Sequence, residues 1–372
     1  METADFSLII PEMFVLTMAC LVLVIDAFLN DEQRNASYLL SLATLVGAAI
    51  ITWNTTGTSA IGFSGTFIVD QMADVMKFTV YLVTAAIFVY SRQYLRDRAL
   101  FKGEFYVLGL FAVLGMMVLI SAHSMLTVYL GLELMSLSLY AMVAFNRDNA
   151  LSSEAAMKYF ILGGFASGVL LYGMSLLYGV TGSLDLGNIA EYLAAQRSFN
   201  APLLLGMVFI IVALAFKLGA VPFHMWVPDI YHGAPSAVTA FIGTSAKLAA
   251  FGFVMRLLIE GMGAMHDAWQ DILIILSVLS LAIGNIVAIA QTNIKRMLAY
   301  STISHVGFIL LGFIAVTPDG YSSAMFYTIT YAITAAAAFG IVILLSREGF
   351  EAENIDDFKG LKARHPWYAF MM

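Results

Sequence analysis

Residues 217–229 read KLGAVPFHMWVPD, and this stretch decides the fold. A lysine closes a long apolar run, a glycine follows two positions later, and Pro222 and Pro228 stand six residues apart. Each proline lacks a backbone donor and interrupts α geometry. The stretch lies between apolar runs at roughly 201–221 and 235–259, and Asp229 is its one acidic residue. Backbone freed at membrane depth must face protein or a hydrated cavity, never lipid. Discontinuous helices of this kind line ion paths in transporters. The segment is therefore read as a broken helix, with Lys217 at the break and Pro222, His224 and Pro228 lining it. A surface loop is the alternative, and it predicts more charge than one Asp.

The rest of the chain supports a membrane setting. Of 372 residues, 61% are hydrophobic and 12% charged, about half the charged share of a soluble domain. Mean hydropathy is +0.87. Soluble enzymes, disulfide-rich secreted domains and disordered chains are excluded. Net charge is −7 and the basic residues are scattered, so no nucleic-acid surface is expected. Cys20 is the only cysteine and serves as a small hydrophobe. No phosphate loop, metal-spaced His/Cys set or Ser–His–Asp arrangement occurs, so no cofactor or metal is expected on this chain.

Further apolar runs fall at roughly 6–29, 37–53, 74–91, 104–122, 125–145, 156–179, 270–290, 294–316 and 322–346. With the two flanking the break, they predict an all-α polytopic protein of about eleven helices. Thirteen of the 18 Lys and Arg fall on connections of one side, among them Arg92, Arg96 and Arg98. Three, Lys77, Arg197 and Arg256, fall on the other, and Lys217 and Lys247 lie within spans. This bias places the N-terminus outside the cytoplasm. Residues 156–159 (AMKY) echo 324–327 (AMFY) at an offset of 168. Five helices separate the copies, so they face opposite ways, as in inverted repeats. A new apolar run starts at His365-Pro366 and stops at Met372, which fits an incomplete chain better than a surface stub.

Three ionisable residues lie deep in spans: Glu133, Lys217 and Lys247. A charge at helix centre costs about 2.5–3.5 kcal/mol on insertion scales. The groups therefore form either a structural Glu–Lys pair or a proton relay. One carboxylate with two lysines favours the relay, because a static pair needs only one. A Glu–Lys pair at 4 Å is worth about 4 kcal/mol at an effective dielectric near 20. That is a factor of about a thousand in proton affinity. His305, amid Ser301, Thr302 and Ser304, is a further relay candidate. Glu154 and Lys158 read as a surface i,i+4 pair. Asp70 and Asp74 read as solvated, and Gly163, Gly164, Ser167 and Gly168 as a packing face.

Longer motifs carry a resemblance. Lys217 to Pro235 (KLGAVPFHMWVPDIYHGAP) resembles the seventh-to-eighth-helix signature of the proton-translocating, antiporter-like membrane subunits. Gln291 to Gly307 (QTNIKRMLAYSTISHVG) resembles their tenth-helix signature, and Gly131 to Leu137 (GLELMSL) their fifth-helix glutamate motif. The versions at Pro228–Pro235 and Gln291–Arg296 point to the subunit-N branch, in bacterial respiratory NADH–quinone oxidoreductase (complex I). Mrp-type Na⁺/H⁺ antiporter subunits share the broader pattern. The likeness runs from the third span onward; the first two spans match only in hydropathy.

The resemblance implies inverted five-helix repeats with discontinuous helices. It gives an N-terminal three-helix segment at 1–103, a first repeat forming a proton half-channel at 104–259, and a second, incomplete repeat at 270–372. It implies a relay of Glu133, Lys217, Lys247 and His305, driven by quinone reduction in other subunits. NADH, FMN, iron–sulfur clusters and quinone belong to those subunits. The implied partners are the other membrane-arm subunits, the lipid bilayer and protons, in a bacterial inner membrane. The family has about fourteen helices and a further lysine after the eleventh, a position past Met372. His232 stands where the family pattern has glutamine.

Overall fold

The computed structural model describes residues 3–30 and 33–372. Helices α1 (Thr3–Leu8), α2 (Ile10–Asp26) and α3 (Asn35–Thr55) come first. A hairpin of β1 (Ala60–Gly62) and β2 (Phe67–Val69) leads into α4 (Gln71–Asp97), α5 (Gly103–Ile120), α6 (Met125–Val143) and the long α7 (Ala150–Thr181). A short α8 (Leu186–Ala194) precedes α9 (Ala201–Leu218). After the break come α10 (Trp226–Gly233), α11 (Ser236–Gly243) and α12 (Ser245–Val254). The last long rods are α13 (His266–Ile289), α14 (Ile294–Ile314) and α15 (Pro318–Leu345), before the short α16 (Leu361–Arg364) and α17 (Pro366–Met371).

Among the described residues, ten helical stretches are long and apolar enough to cross a membrane. Helix α2, with 17 residues, spans about 26 Å at 1.5 Å per residue and occupies the first of the expected places. The hairpin was not foreshadowed by periodicity. It forms because Phe63, Ser64 and Gly65 take left-handed backbone, and Ile68 N–H donates to the Ser121 carbonyl at the end of α5. Helix starts are legible in the sequence: Ser124, Asn149, Asn200 and Asn293 each accept a first-turn N–H through the side chain.

Helices α11 and α12 and one π-helical turn (Met255–Glu260) stack into a single span, 94% buried at its most apolar stretch. The corresponding figure for α13 is 28%. The span carrying Lys247 is thus the axis of the bundle, and α13 lies on its rim. The rim is itself apolar: Trp53 and Ile289 are among its exposed side chains.

The two most extensive helix pairings are α5 with α6 and α13 with α14. Both depend on glycine. A Cβ on Gly131 would sit 2.6 Å from the Leu119 backbone nitrogen, and one on Gly115 2.4 Å from that of Met135. In the second pair, a Cβ on Gly284 would meet the Ser304 nitrogen at 2.6 Å. Backbone cannot yield as a side-chain tip does. Gly131→Ala is therefore expected to push α5 from α6 and destabilise the protein by roughly 1–3 kcal/mol. The check is the thermal midpoint of the purified protein; an unchanged midpoint would refute the close crossing.

Candidate functional site

The break after α9 is built from its own termini. Gly219 takes φ +81°, and its N–H and that of Ala220 bond back to the carbonyls of Ala215 and Phe216. A Cβ there would also meet Val227 at 2.7 Å, so the position requires glycine. Trp226 Nε1 donates to the Phe216 carbonyl across the gap at 2.8 Å. The carbonyls of Lys217 and Leu218 receive a different donor. Lys247 Nζ reaches Leu218 O at 2.7 Å and Lys217 O at 3.5 Å. The second buried lysine thus answers the orphaned end of the broken helix. Val221 N–H is taken by Ser280 Oγ at 2.9 Å.

Pro222 and Pro228 play unequal parts. Pro222 is exposed, whereas Pro228 is buried in the first turn of α10. There its missing N–H has no intrahelical partner to lose, so Pro228 starts a helix rather than breaking one. The residue that ends α9 is Gly219.

Glu133 and Lys217 come near each other but form no ion pair. Lys217 Nζ donates to Ser136 Oγ at 2.8 Å and lies 3.5 Å from the Tyr140 hydroxyl. Ser136 in turn donates to the Leu132 carbonyl. Glu133 is half-buried and accepts a hydrogen bond from Ser167 of α7. Ser167 therefore belongs to the site and not only to a packing face. Gly163 brings α7 against the Tyr140 hydroxyl. A cavity of about 10 Å³, room for roughly one water, is lined by Lys217, Lys247, Trp226 and Tyr159 among others. Both lysines are buried.

Ser136 and Tyr140 escaped the sequence reading, although a signal was present. Glu133, Ser136 and Tyr140 are spaced i, i+3, i+7 and share one helix face. The contacts themselves depend on how α6 meets α7 and α9.

His305 lies apart from the lysines, within a second polar string. Its Nδ1 lies 2.7 Å from the Tyr327 hydroxyl, and its ring 4.6 Å from that of Tyr331. Tyr331 donates to Thr302 Oγ1 at 2.7 Å, and α10, which carries the buried Tyr231, packs on α14. Helix α10 thus runs from the lysine pair to the His305 string. The two halves of the AMKY/AMFY echo end on corresponding tyrosines: Tyr159 stacks on Trp226 at the first site, and Tyr327 holds His305 at the second. His224 joins neither string. It is half-buried, 6.4 Å from the Tyr300 ring, and its Nδ1 has no hydrogen-bond partner.

Several charges lie deeper or better paired than the sequence implies. Lys158 meets Glu154 at 2.9 Å and also Asp229 at 2.8 Å, and Arg296 reaches Asp229 at 3.0 Å. These pairs tie α7 and α14 to α10. His232 Nε2 lies 4.0 Å from Glu353, which pairs with Lys295. Asp70 is not simply solvated: it caps α4 and grips the fully buried Arg256. Asp74 is buried rather than solvated.

The family described as "NADH:quinone oxidoreductase/Mrp antiporter, TM" matches residues 122–372. NADH-quinone oxidoreductase subunit N of Thioalkalivibrio sulfidiphilus is 63% identical over all of this chain, which spans 78% of that relative. A chain of respiratory complex I from Thermus thermophilus with bound aureothin is 29% identical, with a TM-score of 0.82, over 97% of this chain and 76% of that one. A chain of the Mrp complex from Dietzia sp. aligns over 92% of this chain and 65% of its own, at 21% identity and a TM-score of 0.76. That last likeness shows the shared fold alone. The chain belongs to the family of NADH-quinone oxidoreductase subunit N, the antiporter-like membrane subunits of complex I.

Proposed function

We propose that this chain moves protons across the membrane as a membrane-arm subunit of an NADH–quinone oxidoreductase, through Glu133, Lys217 and Lys247. The observation that carries the reading is the arrangement of the two lysines at the helix break. Lys217 rests on Ser136 and Tyr140, and Lys247 on two backbone carbonyls. Among the described residues neither holds a carboxylate in an ion pair, so each proton is bound by neutral acceptors and can leave. Glu133 stands half-buried between α6 and α7, where a charge change in a neighbouring subunit reaches it. Its charge then acts on Lys217 across Ser136. Quinone reduction in other subunits supplies the drive, and NADH, FMN, iron–sulfur clusters and quinone reside there.

The 63% identity to a subunit N favours this reading over an Mrp-type Na⁺/H⁺ antiporter subunit. A passive scaffold gains nothing from two buried lysines. His305 continues the path through the Tyr327/Tyr331 string. The matched glycine-dependent pairs, α5–α6 and α13–α14, support a repeat boundary between 104–259 and 270–372, after a three-helix segment at 1–103. The Lys/Arg bias supports an inner-membrane topology with the N-terminus on the periplasmic side.

Glu133→Ala and Lys217→Ala in the assembled complex test the reading. Assembly is expected to persist while proton pumping falls roughly 100-fold, as when a positioned proton-transfer group is lost. Normal proton stoichiometry in either variant ends this account.

A further inference from the structure

Two of the arginines that mark one membrane side have no acidic partner among the described residues. Arg92 and Arg96 lie one turn apart near the end of α4. Arg92 donates to Asn35 Oδ1 at 3.0 Å, and Arg96 to the same oxygen at 2.6 Å. Their guanidinium groups lie 5.1 Å from the Tyr38 ring and 4.8 Å from the Phe101 ring. Arg92 Nε is buried without a hydrogen-bond partner. Among the described residues the nearby carboxylates have other donors: Asp97 takes Gln93, Asp26 takes Ser37, and Glu351 takes Arg98. One neutral amide oxygen thus faces two positive charges that carry five donors each.

The same two helices open an apolar groove of about 590 Å³, lined by Leu45, Ala49, Ile50 and Trp53 of α3 and by Leu82 and Ala85 of α4, among others. Leu82, Val89 and Arg96 are exposed and seven residues apart, so the arginine end and the groove share one face of α4. Ala85 and Leu82 lie about 10 and 15 Å deeper than Arg92, at 1.5 Å per residue. One leaflet of hydrocarbon is about 15 Å thick. Trp53 and Phe78, in edge contact with centroids 6.0 Å apart, close the far end.

We propose that this groove binds one anionic phospholipid, its phosphate on Arg92 and Arg96 and an acyl chain along Leu45, Ala49, Leu82 and Ala85. A guanidinium fork matches phosphate oxygens, and basic sites at the cytoplasmic ends of membrane helices select anionic headgroups. The aromatic rings under both guanidinium groups fix their planes. The proposal is independent of the proton path.

The test uses the intact complex in nanodiscs containing phosphatidylglycerol or phosphatidylcholine with a photoactivatable acyl chain. Cross-linked peptides are identified by mass spectrometry. Phosphatidylglycerol is expected to label the stretches 45–53 and 78–85, and phosphatidylcholine only weakly. R92Q/R96Q is expected to lower that labelling about 30-fold, each arginine contributing roughly fivefold. R92K/R96K, which keeps the charge, retains most of it and controls for folding. Equal labelling by the two lipids, or unchanged labelling in R92Q/R96Q, would each overturn the proposal.

Discussion

Lys247→Met is expected to stop proton movement through the assembled complex while changing its stability little. The substitution removes the donor that meets the Leu218 and Lys217 carbonyls. Leaving buried acceptors unmet costs about 1–3 kcal/mol each. It also removes a buried ammonium, whose desolvation costs several kcal/mol. The two effects oppose each other and are of similar size. Proton transfer has no such compensation, because Met carries no proton. Lys247→Arg separates the roles further. Arginine keeps a donor for the carbonyls but does not deprotonate in proteins. Both variants are expected to lower pumping roughly 100-fold, measured as proton uptake into vesicles per NADH oxidised. Wild-type pumping by Lys247→Arg would show that Lys247 only fastens the helix break.

Arg256→Met is expected to be the most destabilising single change in the chain, by about 3–5 kcal/mol. Arg256 is fully buried in the π-helical turn. Its guanidinium reaches both Asp70 oxygens at 2.7 and 2.8 Å, Glu260 at 2.6 Å, and donates to the Ile120 carbonyl at 2.8 Å. It therefore joins the starts and ends of α4, α5 and α12. Methionine fills the space but strands two carboxylates and a carbonyl. Burial works to raise the Asp70 pKa, but the Arg256 bonds outweigh it and hold the carboxyl below its ordinary 3.8. A depressed folded value means that the stabilisation is present above that ordinary value and is lost as pH falls through the folded one. The Asp70 arm of the clamp thus loosens in acid below about pH 4. The measurement is the thermal midpoint of wild type and Arg256→Met between pH 3 and 8. A midpoint equal to wild type at neutral pH would refute the clamp.

Much of the architecture can be read from local chemistry. Run length gives the spans, because a bilayer sets how many apolar residues a helix needs. Ser124, Asn149 and Asn293 mark helix starts because their side chains cap free N–H groups. Lys217, Gly219 and the prolines announce the break, although Gly219 rather than Pro228 ends the helix. Glu133, Lys217 and Lys247 stand out because so few charges lie inside spans.

The partners of those charges were not legible. The structural Glu–Lys pair that stood as the alternative to the relay does not form, and Ser136 and Tyr140 receive the lysine. Asp70 and Arg256, 186 positions apart, meet only because α4 and α12 pack side by side. By itself the sequence determined the set of membrane-spanning runs, the place of the break and three of the costly charges, Glu133, Lys217 and Lys247. Those are properties of single segments in a medium of fixed thickness. The tertiary structure decided which neutral acceptor each lysine holds, since that depends on glycine-dependent contacts between segments remote in sequence.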